Sequence, residues 1–141
     1  MSLAPKILGS ILALALFLFL FIEPASAQNG IDPASREIMV RIFESEPSLT
    51  EDDMTIAIEL LPRANNNNLS EKDLYQYAED KGYTPDRLAY IMAKVSGGML
   101  ILVNKDYETV IINKYGTPAA VPTQEEMELI SKYFNDLMAI L

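Results

Sequence analysis

The chain has 141 residues, enough for one domain with its own core and too few for two. It contains no Cys and no His, which removes disulfides, thiolate chemistry and the imidazole that most often serves as general base or metal ligand. A formal net charge of −9 repels phosphate backbones and anionic lipid, so nucleic acid is not an expected partner.

The first element in chain order is a targeting segment. Ile7 to Ile22 form an uncharged apolar run behind Lys6, followed by Glu23, Pro24 and Ala25-Ser26-Ala27. A positive start, an apolar middle, a helix-breaking Pro and an A-x-A triplet make the order that a signal peptidase reads. The run is also shorter than the roughly 20 residues that span a bilayer as a helix. The expected domains are therefore a signal peptide over 1–27, cleaved after Ala27, and a single helical domain over 28–141. The mature protein is expected in the periplasm or secreted, with no stable membrane anchor after cleavage. Removing the segment takes away one Lys and one Glu and leaves the net charge at −9.

The mature part repeats one local device. Leu49-Thr50-Glu51-Asp52-Asp53-Met54, Leu69-Ser70-Glu71-Lys72-Asp73-Leu74, Tyr83-Thr84-Pro85-Asp86-Arg87-Leu88 and Pro122-Thr123-Gln124-Glu125-Glu126-Met127 each place a hydroxyl between flanking apolar or Pro positions and acidic residues. A hydroxyl there caps orphan N–H groups, and an acid three residues on can close a capping box, Glu126 better than the shorter Asp53 and Asp73. Asp32-Pro33 supplies a fifth start, with Pro at the first helical position. These starts predict an all-α fold, a small bundle of about five helices after the signal peptide.

The first helix runs over about 33–45 and turns Ile38, Met39, Ile42 and Phe43 to one side. The second covers about 51–61, with Pro62 near its end and a polar connection through Asn65 to Asn68. The third, 71–81, is closed by Gly82. From Pro85 to Tyr115 apolar residues keep helical spacing from Leu88 to Ile111, which predicts one long helix or two in line, with Asn104 to Asp106 as the place to break. Gly97-Gly98 and the β-prone runs Met99–Val103 and Thr109–Ile112 oppose this and leave an α+β alternative with a hairpin at 99–112. The last helix, 124–140, aligns Met127, Ile130, Phe134, Leu137 and Leu141, with Tyr133 and Met138 beside them. Thr117 to Pro122 form a short, stiffened linker.

Several groups invite a functional reading. The triplet Glu51-Asp52-Asp53 resembles a cation site, but first-turn carboxylates are also what a helix macrodipole stabilises, and no loop has calcium-hand spacing. Ala89, Ala93 and Gly97, spaced by four, predict a close approach of another backbone within the domain, or a self-association seam. Tyr75 lies off the Leu74, Tyr77, Ala78 stripe and is expected at the surface. The Tyr and Met residues suit either core or an adaptable contact surface. No nucleophile elbow, phosphate loop or metal motif is present. No catalytic, cofactor-binding or metal residue is singled out, no cofactor is expected, and an enzyme is not expected. The leading expectation is a non-enzymatic module that binds a protein partner or itself, as accessory subunit, holdase-like chaperone or inhibitor. The alternatives are a carrier of a hydrophobic small molecule, lined by residues such as Leu88, Met92, Met99 and Phe134, and a small hydrolase using paired carboxylates.

Overall fold

The computed structural model of the protein describes residues 33–66 and 68–139, so the signal peptide over 1–27 with its cleavage after Ala27, and Leu141, lie outside the described residues. Among the described residues there are seven α-helices, one 3-10 turn and no strand. The all-α expectation holds, and the hairpin alternative at 99–112 is overturned, because Met99–Val103 ends one helix and Thr109–Ile112 lies inside the next.

Helix α1, Pro33–Ser45, starts on Pro33 and buries Met39, Ile42 and Phe43. Helix α2, Glu51–Asn65, opens on a complete capping box in which Thr50 accepts from Asp53 N–H and Asp53 accepts from Thr50 N–H. It runs beyond the expected 61. Pro62 sits in its last turn, where the loss of one N–H donor is offset by burial of Leu60, Leu61 and Ala64. Helix α3, Glu71–Lys81, repeats the box with Ser70 and Asp73 and ends at Gly82, whose φ of 74° is the left-handed conformation that glycine tolerates without strain.

Helix α4, Pro85–Val103, is the axis of the fold. Thirteen of its nineteen residues are buried, and it touches α1, α2, α3, α5 and α6, as a helix apolar on nearly all sides must. Its Gly97 and Gly98 stay helical because neighbours press on them. A Cβ on Gly98 would lie 2.5 Å from Ile130 Cδ1, and one on Gly97 would lie 3.1 Å from Ile111 Cδ1. The second distance also corrects the expectation of two helices in line. In line, positions 97 and 111 would stand about 21 Å apart at 1.5 Å per residue, so α5, Tyr107–Tyr115, instead folds back on α4. The reversal is local: Asn104 is extended, and its side chain accepts the Asp106 N–H at 3.0 Å.

The linker after α5 forms a 3-10 turn, Pro118–Ala120, which packs against α1 and α5. The single last helix expected over 124–140 is two: α6, Gln124–Lys132, and α7, Phe134–Ala139. At Tyr133 the backbone leaves the helical region (φ −101°, ψ 7°), and its N–H is shared between the carbonyls of Leu129 and Ile130. There Lys132 and the Tyr133 hydroxyl both hold Glu51 at the start of α2. Ile130 and Leu137 point into the core, while Phe134 is only half-buried.

Candidate functional site

The polar chemistry of the domain gathers where the loop between α1 and α2 meets the start of α4. Thr84 caps α4 by accepting the Arg87 N–H at 3.1 Å, which sets Arg87 one turn in and aims it at that loop. Its guanidinium donates to the carbonyls of Pro47 and Ser48, pairs with Asp53, and reaches Glu46 at 3.5 Å. Asp53 also accepts from Thr50 N–H at 2.9 Å and from the Tyr83 hydroxyl at 3.2 Å. Burial first, then the charges of Asp53 and Asp52, push the Tyr83 hydroxyl above its ordinary pKa.

Behind Arg87 the polar seam runs inward. Its guanidinium lies 4.8 Å from the Tyr90 ring centre, and the Lys94 ammonium lies 5.3 Å from the same ring. Such stacking is favourable when the cation is desolvated. Lys94 donates to Glu126 and to the Val121 carbonyl, both at 3.1 Å. Glu126 further accepts from the Tyr90 hydroxyl at 2.6 Å, Leu49 N–H at 3.0 Å and Thr123 N–H at 2.9 Å. Burial by itself raises the Glu126 carboxyl, but these donors and Lys94 outweigh it and hold the group below the usual carboxylate range. The loop from Pro47 to Leu49 is thus pinned twice, by Arg87 and by Glu126.

Beside this seam opens a cleft of about 360 Å³, lined by Pro47, Thr50, Asp53, Gly82, Tyr83, Thr84 and Arg87. A second, smaller cleft of about 160 Å³ lies among Arg63, Asp73, Gln76, Tyr77 and Asp80. In the larger one, the carboxylate and guanidinium are already bonded to each other and to the backbone. Beside them the cleft is lined by the exposed Pro47, Thr50, Gly82 and Thr84 and by the half-buried Tyr83.

The acidic triplet is taken apart by the fold: Glu51 turns to Lys132 and Tyr133, Asp53 is buried against Arg87, and Asp52 stays exposed. Among the described residues no three carboxylates converge as a cation site. Ala89, Ala93 and Gly97 are buried inside the domain, and the tighter close approach is at Gly98, which spacing by four passes over. Leu88, Met92 and Met99 are core, and neither they nor Phe134 lines either cleft. Most of the Met and Tyr surface is spent inside: Met39, Met54, Met92, Tyr77, Tyr90 and Tyr115 are buried. Tyr75 is half-buried rather than exposed.

Reading by residue type passed over Arg87, Lys94 and Glu126 as a connected unit. The available signal was Lys94, a single charge in the middle of an apolar helix. Lys114, only 2 % exposed, likewise stands inside, and among the described residues it has no hydrogen-bond or ion-pair partner. Burial pulls its amine below the ordinary lysine pKa. Comparison with protein-family models, with characterised proteins and with solved structures gives no match for this chain.

Proposed function

We propose that this protein is an exported, non-enzymatic helical module that binds another protein through the cleft between the 46–50 loop and Gly82 to Thr84. The observation that carries the reading is the state of the polar groups at that cleft. Arg87, Asp53 and the Tyr83 hydroxyl are bonded to one another or to the backbone, so the charged groups that line the cleft are engaged in holding its walls. The same bonds hold Pro47 and Tyr83 in place, and a wall that is already ordered loses little entropy when a partner arrives. Export follows from the signal-peptide pattern over 1–27 and gives the domain its place of work, the periplasm or the medium.

The test uses tagged protein expressed from the full chain, recovered from the cell envelope and checked by mass spectrometry for an N-terminus at Gln28. Cross-linked partners are compared between the native protein and Gly82→Asn. Asn tolerates the left-handed backbone, and a Cβ at position 82 meets nothing within 4 Å, so this variant narrows the cleft while leaving the fold intact. Loss of a partner in Gly82→Asn is the expected result. A native protein that runs as a strict monomer by light scattering and cross-links to nothing, or a partner retained by Gly82→Asn, would overturn the proposal.

A further inference from the structure

The joint between α6 and α7 sets a short helix on little support. Six residues make less than two turns, and a helix that short does not hold itself together in water, so α7 depends on what it docks against. Among the described residues of α7 only Leu137 is buried, at 1 % exposure; Phe134 is half-buried, and Asn135, Asp136, Met138 and Ala139 face solvent. Its first turn closes where the Leu137 N–H donates to the Tyr133 carbonyl at 2.9 Å. Helix α6 is anchored differently. Its capping box at Thr123 and Glu126 is tied to the buried Lys94, and Ile130 is fully buried against Gly98. None of those contacts involves α7.

At the joint itself, Glu51 of α2 accepts from Lys132 at 2.7 Å and from the Tyr133 hydroxyl. These bonds lie at the surface, with 62 % of Lys132 and 56 % of Glu51 exposed, so salt screens the charged one. The backbone has already left the helical region at Tyr133 (φ −101°, ψ 7°), so a pivot there costs α6 none of its internal hydrogen bonds.

We propose that α7 is an arm that opens by itself while α1 to α6 stay folded, pivoting at Tyr133 and latched shut on Glu51 by Lys132 and Tyr133. Opening lifts Leu137 out of the core and bares the apolar socket beneath it, so the surface latch gates a piece of the core. Undocking one fully buried leucine sets the open form at about one molecule in 10 to one in 150. The latch lowers that fraction by about two- to fivefold. Global unfolding of a small domain is rarer, below about one molecule in 5,000.

The experiment is native-state amide exchange followed by NMR on the envelope-purified protein, on Tyr133→Phe and on Glu51→Ala. The Leu137 amide is expected to exchange through an opening that urea below the unfolding transition does not promote, because little surface is exposed in it. Amides of Ile91 to Val95 in α4 should exchange only with global unfolding and follow urea. Raising salt from about 0.02 to about 0.5 M should speed Leu137 exchange about two- to fivefold in the native protein and leave it unchanged in Glu51→Ala, which is already unlatched. Tyr133→Phe should speed it by a similar factor and keep part of the salt response through Lys132. The α4 amides, unchanged in both variants, show that the fold is intact. A Leu137 amide that follows urea with the slope of α4 would overturn the proposal by making α7 part of the global unit. One without protection in the native protein would overturn it by showing that the arm is never shut. Leu137 exchange indifferent to salt and to both variants would overturn it as well, since no latch would then exist.

Discussion

The Lys94–Glu126 pair gives the sharpest energetic expectation, because both side chains are taken out of water: 3 % of Lys94 and 1 % of Glu126 remain exposed. Glu126 gathers four donors on two oxygens, with Leu49 N–H and Tyr90 OH on Oε2, and Thr123 N–H and Lys94 Nζ on Oε1. In Glu126→Gln one oxygen becomes an amide nitrogen, so two of the four donors lose their acceptor. In either amide orientation Lys94 loses its carboxylate and remains a buried cation whose acceptors are neutral: the Val121 carbonyl and, where the amide oxygen takes the Oε1 position, that oxygen. Breaking a buried pair from one side costs about 3 to 5 kcal/mol, and this site belongs in the upper half of that range. Lys94→Met leaves Glu126 with its three other donors and fills the space of the lysine stem, so it belongs in the lower half. The two changes together should cost less than their sum, with a coupling of about 1 to 3 kcal/mol, because each removes what makes the other harmful. Urea unfolding followed by far-ultraviolet circular dichroism measures all three. For a domain of this size each kcal/mol moves the melting temperature by about 4 °C. Single variants within about 1 kcal/mol of the native protein, or strict additivity of the double variant, would refute the claim that the pair is a coupled internal unit.

The same carboxylate sets a pH expectation. Its folded pKa is depressed, so its contribution is present above the ordinary carboxylate pKa of about 4.3 and is lost as the pH falls through the lowered folded value. Acid unfolding of Glu126→Gln should therefore be shallower than that of the native protein below about pH 4, measured by urea midpoints across pH 2 to 6. Gly98→Ala should destabilise by about 1 to 2 kcal/mol, since overpacking against the fully buried Ile130 exceeds the gain of about 1 kcal/mol in helix propensity. Gly97→Ala, with Ile111 at 3.1 Å, should be near neutral, and the reverse order in melting temperatures would contradict the packing assignment. Lys114→Met should stabilise by an amount on the order of 1 kcal/mol at neutral pH. The gain should shrink as the pH rises toward about 10.4, because the lowered folded pKa means the native lysine is penalised most where it is protonated. A variant less stable than the native protein at pH 7 would show that the amine has a favourable partner.

Much of the helical plan was legible along the chain because capping acts over three residues. Thr50 with Asp53, Ser70 with Asp73, and Thr123 with Glu126 sit at the starts their spacing announces, and Gly82 ends α3 in the conformation that only a few residue types accept. The reversal at 104–106 was legible only as a place to break. Whether α5 continues along α4 or returns onto it depends on which face of α4 is free to receive Ile111, and that is settled by packing at a distance in sequence. The break at Tyr133 was not legible at all, since its side chain and Lys132 meet Glu51, some eighty residues away. The cleft fell outside the sequence reading for the same reason: its walls come from three separate segments, 47–53, 82–84 and Arg87.

By itself the sequence determined where helices begin, which residues carry the apolar stripes, and that thiol and imidazole chemistry are absent, because all of these are properties of neighbours or of composition. Only the tertiary structure decided that Glu126, a capping residue like several others, becomes the acceptor of a buried lysine, and that Asp53 closes against Arg87 rather than facing solvent beside Asp52. The physical reason is desolvation. A charge announces its local role through its neighbours in sequence, whereas its removal from water and its partner there are set by whichever helices close over it.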